Sequence, residues 1–172
     1  MKKITLDELD EILEKHAKWL RKEDGGKCAD LSGTDLKGKS LCSLNLSRAK
    51  FTHANLTDAF LENADFTGAC LARGNLMLVD LMFAILRDAN LKGANLKDAN
   101  LLGVDLSDAD LTDADLTGVC FTNANLQRAN LTRANLKNAH LYNTNLAGAI
   151  LTNANLESAD LSDAKNIPSH SG

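Results

Sequence analysis

Leucine or phenylalanine stands at every fifth position from Leu31 to Leu161, 27 times without a miss. Two residues before each lies a small residue, Ala in 20 of the 28 places from Ala29 to Ala164; Thr34, Lys39, Leu44, Gly74, Val79, Val104, Val119 and Thr144 are the exceptions. The position between them is Asn or Asp in 19 of 27 repeats, so the unit reads A-(N/D)-L-x-x. A period of five fits neither standard element. On an α-helix it would carry the leucines round the axis by about 140° per step, and on a straight strand an odd spacing alternates faces. The chain therefore turns once per repeat, with Ala and Leu pointing inward and the other three residues outward. Successive coils then stack at about 4.8 Å with hydrogen bonds between them, and about seven coils make a rod roughly 30 to 35 Å long. The small residue is required by space, because two inward side chains from every side share a narrow interior.

Before the repeat the pattern changes to a helical one. Thr5-Leu6-Asp7-Glu8 reads as a capping box, and Ile4 with Leu9 as a hydrophobic staple. Leu6, Leu9, Leu13, Ala17 and Leu20 recur at helical spacing, which predicts a helix over Leu6 to Lys22. A stack of coils exposes unpaired backbone at its ends, so this helix, with Trp19 on its apolar face, is expected to cover the first coil. Asp24-Gly25-Gly26 is the turn that sends the chain back into the repeat. His16 is expected to pack or to face solvent, and carries no assigned chemistry. At the other end Lys165-Asn166-Ile167-Pro168 stops the pattern, Pro168 lacking the donor that a further strand would need. The expected organisation is a cap at 1–27, the repeat at 28–166 and a tail at 167–172.

Composition narrows the functional classes. An apolar content of 44% supplies a core, yet only seven residues are aromatic, which suits a core assembled from many small units. The net charge of −4 argues against a nucleic-acid-binding surface, and no direct nucleic-acid contact is expected. With neither an apolar run of about 18 residues nor a secretory h-region at Met1 to Leu9, a soluble cytoplasmic protein is expected. Cys28, Cys42, Cys70 and Cys120 form no C-x-x-C and have no histidine at ligand spacing, so free thiols are expected and no metal. The four histidines, His16, His53, His140 and His170, bring no nucleophile, base and orienter together, and no phosphate-binding glycine motif is present. No catalytic residue and no cofactor is assigned.

The run ANLKGANLKDANLLGVDLSDADLTDADLTG, residues 89–118, resembles the pentapeptide-repeat family, and EKHAKWLRKEDGGKCADLSG is similar to the lead-in of its bacterial members. The resemblance covers roughly residues 28–166. It implies an all-β architecture: a right-handed quadrilateral parallel β-helix with type II-like turns and 20 residues per coil. It also implies two kinds of role. Many members have no assigned activity, and for this chain a non-catalytic protein-binding or scaffold module is expected; other members imitate DNA and modulate a type II topoisomerase, DNA gyrase, which is the alternative. Gyrase-directed members commonly dimerise through C-terminal elements, and the short tail SHSG puts that mode in doubt.

With four sides, residues 20 apart share a column, and outward residues can be sorted by side. One side, built on Leu41, Leu61, Leu81, Leu101, Phe121, Leu141 and Leu161, turns Cys42, Phe60, Met82, Phe83, Leu102, Cys120, His140 and Tyr142 outward. The apolar tendency spreads round one coil through Met77, Leu78, Met82, Phe83 and Ile85. Phe60, Met77, Leu78, Met82, Phe83, Ile85, Leu102 and Tyr142 are thus the candidate interface, for a protein partner or self-association. The structural alternative is a local irregularity of the coil that packs these side chains on a bulge or loop. A second candidate is acidic: Asp88, Asp98, Asp105, Asp108, Asp110, Asp113 and Asp115, a potential DNA-like field or simply a solvated surface.

Overall fold

The computed structural model describes residues 1–168. Through the repeat each residue before the inward Leu forms a parallel bridge with the residue 20 positions later. The rungs run at five-residue steps from Asp30↔Lys50 to Asn145↔Lys165 with none missing. Four sides therefore close one coil, as the columns require.

The backbone bookkeeping of a single repeat explains its sequence. Leu91 N–H donates to the Asp110 carbonyl (2.8 Å) and Gly93 N–H to that of Thr112 (2.8 Å), one coil on, while Asn90 N–H donates to Ala69 (2.9 Å), one coil back. Ala94 N–H closes the corner onto Leu91 (2.9 Å). One donor is left, that of Lys92, and the Asn90 side chain accepts it at 3.1 Å. The Asn or Asp of the motif thus satisfies the single N–H that the coils cannot. The same side chain also bonds along its column, as Asn95 Nδ2 does to Asn75 Oδ1 at 2.9 Å.

Each corner is a type II turn, with its second central residue in the left-handed region in all 27 repeats. That conformation favours Gly, Asn and Asp, and these three fill 18 of the 27 positions. Inside, the Leu and Ala columns are buried as far as Leu151 and only partly buried in the last coil, with Phe51, Phe66 and Phe121 in the Leu positions. Phe51 and Phe66 meet edge to face, 5.5 Å apart. The unusual Thr144 is also fully buried, and its hydroxyl donates to the Phe121 carbonyl at 2.7 Å.

At the N-terminal end helix α1 spans Leu6–Leu20. Its capping box is formed in both directions, Glu8 N–H to Thr5 Oγ1 at 3.1 Å and Thr5 N–H to Glu8 Oε2 at 2.9 Å. The helix stops two residues before the expected Lys22. Lys22 adopts φ 58°, and Glu23 and Lys22 N–H return to the Lys18 and Trp19 carbonyls, a Schellman arrangement. Leu9 is buried and Ile12 and Leu13 pack on the core, but Leu6 is 62% exposed and does not belong to the apolar face as the spacing suggested. The extreme N-terminus holds an element that the sequence did not announce. Strand β1, Lys2–Lys3, pairs in parallel with strand β2, Thr34–Asp35, and so adds a rung to the open edge of the first coil.

His16 is a packing residue, completely buried on the inner face of α1. Its Nδ1 accepts the Ala29 N–H at 3.1 Å, and its ring stacks on Trp19 with centroids 5.6 Å apart. Nε2, which must then carry the proton, is buried without a partner, and burial holds the histidine's pKa below its ordinary value. All four cysteines are free thiols. No helix among the described residues is long and apolar enough to cross a membrane.

Candidate protein-interaction surface

The corners and rungs define what the fold prefers at each outward position, and the candidate apolar residues depart from it. Leu78 (φ 59°) and Phe83 (φ 56°) carry bulky side chains in the left-handed corner position and are 49% and 55% exposed. A bulky side chain there is strained, and nothing in the core uses these two. Phe60 and Ile85 occupy the rung position where Asn or Asp would cap a backbone donor, and the N–H groups of Glu62 and Arg87 go without that bond. Four large apolar side chains therefore sit where the fold would be better served by something else.

The coil that carries them is regular. Phe60↔Asp80, Asp65↔Ile85, Asp80↔Asn100 and Ile85↔Asp105 are ordinary rungs, and no residue is inserted at either corner. The bulge considered from the sequence is absent. The apolar residues form a belt on two corners and the side between them. Met77 and Leu78 make one corner, and Met82 and Phe83 the next; Phe60 lies one coil before Asp80, Leu102 one coil after Met82, and Ile85 on the adjoining side. The Phe83 ring lies over Gly103, where a Cβ would stand 2.6 Å from the ring, so the glycine serves both its own φ of +64° and its neighbour's ring. Tyr142, 47% exposed, is in the Leu102 column but two coils away, with Thr122 between them. Ile150, also exposed, was not singled out from the sequence; it is isolated on another side, among Asn130 and other polar residues of its column.

The seven acidic candidates are not brought together. Asp88 and Asp108 share one corner column, Asp98 and Asp113 occupy two others, and Asp105, Asp110 and Asp115 lie on three different sides. Arg128 grips Asp108 with two bonds of 2.6 Å, and Arg133 grips Asp113 at 2.6 and 2.8 Å, each from one coil on. Each guanidinium holds its aspartate below the usual carboxylate range. At Asp105 burial pushes the pKa up, but hydrogen bonds from Arg87 and Ser107 outweigh it and the net direction is down. Asp110 and Asp115 accept the backbone N–H and hydroxyl of Thr112 and Thr117, the same corner-capping role as Asn90.

Elsewhere, an open groove of about 510 Å³ runs between the end of α1 and the wall, lined by Trp19, Leu20, Arg48 and Thr67 among others. Among the described residues no cluster of His, Cys, Asp and Glu has the arrangement to hold a metal ion.

Comparison with known proteins matches this architecture. The family model for pentapeptide repeats, in eight copies, matches residues 45–81, 84–123 and 124–163. HetL, a pentapeptide repeat protein involved in heterocyst differentiation regulation from the cyanobacterium Nostoc sp. strain PCC 7120, is 33% identical over 78% of this chain and 75% of its own, with a TM-score of 0.40. The Nostoc protein alr5209 is 37% identical over 59% of this chain and 84% of its own, with a TM-score of 0.49. QnrB1, a plasmid-mediated fluoroquinolone resistance protein, is 17% identical over 77% of this chain and 70% of its own, and its TM-score of 0.62 shows a shared fold. No curated protein matches the chain. The repeat unit, the unbroken ladder and the matched residues agree: the chain belongs to the pentapeptide-repeat family and folds as its right-handed quadrilateral β-helix.

Proposed function

We propose that the protein is a non-catalytic protein-binding module whose contact surface is the belt centred on Met82 and Phe83. The observation that carries this reading is the placement of Leu78 and Phe83, two exposed hydrocarbon side chains in a backbone conformation that penalises them. Strain that the core does not need is a common mark of a functional position. Around them, exposed Phe60 and half-buried Met77, Met82, Ile85 and Leu102 supply the apolar area that a contact needs at its centre.

Stability and binding should separate on substitution. In the double variant Leu78→Asn with Phe83→Asn, relief of the left-handed strain offsets the loss of partly buried area. Thermal unfolding is expected to be unchanged or raised by about 1 kcal/mol, while partner capture or self-association is lost. A variant that melts lower and binds as before would make the belt part of the fold's own packing.

The acidic reading has less support. Its residues are spread over several sides and are largely engaged by arginine, serine or threonine of this same chain.

A further inference from the structure

The belt is apolar at its two corners, and carboxylates outnumber cations among the residues around them. Leu78 stands between Asp58 and Asp98 in its column, Met82 has Glu62 below it, Ile85 lies between Asp65 and Asp105, and Asp80 occupies the floor between the corners. Two of these carboxylates have cations of their own, Asp58 with Lys37 at 3.8 Å and Asp105 with Arg87. Among the described residues Glu62, Asp65, Asp80 and Asp98 have no ion pair, although Arg87 lies within electrostatic reach of Asp65, and a further cation at the belt is Lys97, a coil above Met77. Asp80 is the most telling. Its Oδ1 accepts Met82 N–H at 3.1 Å and Asn100 Nδ2 at 3.2 Å, which leaves Oδ2 without a hydrogen bond in the middle of the apolar surface.

Resting on the belt reading above, we propose that the partner is a segment in which two or more large apolar side chains are flanked by lysine or arginine, the apolar groups covering Leu78 and Phe83 and a cation answering Asp80. Covering the corners would exclude water and weaken the screening of the four unpaired carboxylates, so an uncharged or acidic segment would leave them desolvated and unanswered. The same argument disfavours a second copy of this chain. A two-fold contact centred on the belt sets identical patches against each other, and would face Asp80 and its acidic neighbours with their own images.

The test is selection from a displayed library of random peptides about 15 residues long on the whole protein, with counter-selection on the Leu78→Asn, Phe83→Asn variant. Enriched peptides are expected to pair large apolar residues with a net positive charge. Synthetic copies should bind about tenfold more weakly when salt rises from about 50 to about 500 mM, or when Asp80→Asn and Asp98→Asn are combined. Asp80→Asn keeps the Oδ1 acceptor that Met82 needs, as Asn100 does in the same column, so the fold is left intact. Enriched peptides that depend on Phe83 but are neutral or acidic, or that ignore salt, overturn the partner chemistry and leave the belt standing. No enrichment beyond that on the variant overturns the belt itself. Sedimentation showing a dimer that the variant abolishes assigns the surface to a second copy and overturns the basic partner.

Discussion

Replacing Ala114 by Leu puts three further heavy atoms at an inward position that is 1% exposed and shared by every side of the coil. The cost is expected to be about 1 to 3 kcal/mol, read as a lower unfolding midpoint by circular dichroism. Gly103 offers a sharper case, because two independent demands meet there. Gly103→Ala must adopt a φ of +64° and place a methyl group 2.6 Å from the Phe83 ring. The loss is expected to be about 2 kcal/mol in the native background and clearly smaller when Phe83 is also changed to Asn, a coupling that a double-mutant cycle measures. The Leu and Ala columns could be read directly from the sequence, since only the inward positions are constrained to be apolar and small. The cost of Leu78 and Phe83 could not, because a period shows which residues face outward and leaves their backbone conformation open.

At the scale of elements the cap is held by a neutral histidine. His16 accepts the Ala29 N–H through Nδ1, and a proton there would set two donors against each other inside the helix–coil contact. Burial is what lowers its pKa. The folded value lies below the unfolded value of about 6.5, so the stabilisation is fully present above that pH and is lost as pH falls through the depressed folded value. Trp19, the single tryptophan, stacks on His16 and reports the event. Its fluorescence and the midpoint of cap unfolding are expected to change as pH falls below about 6.5, and in His16→Gln that pH dependence should disappear. The helix and its capping box were legible because both rest on local spacing. Strand β1 was not, for Lys2–Lys3 has no strand propensity of its own and becomes extended only because an edge is there to pair with.

Across the whole molecule the same local rule, repeated, makes the fold legible and the surface nearly silent. An Asp in the motif position is demanded by the corner it caps, as Asp110 and Asp115 show, so its presence carries little information about a partner. What the sequence could reveal was departure from the rule, and the run from Met77 to Ile85 was visible for that reason. Whether such a run marks a broken coil or a decorated one depends on rungs between residues 20 apart, which only the three-dimensional arrangement supplies.

The unbroken ladder also makes this protein a geared shaft. Each repeat advances the chain by a quarter turn, so a loss of five residues between α1 and the belt would swing the belt to the neighbouring side, and a loss of 20 would bring it one storey nearer the cap with its bearing unchanged. Direction and height of the proposed docking surface are thus set in whole steps by repeat number alone, independently of which side chains the belt carries.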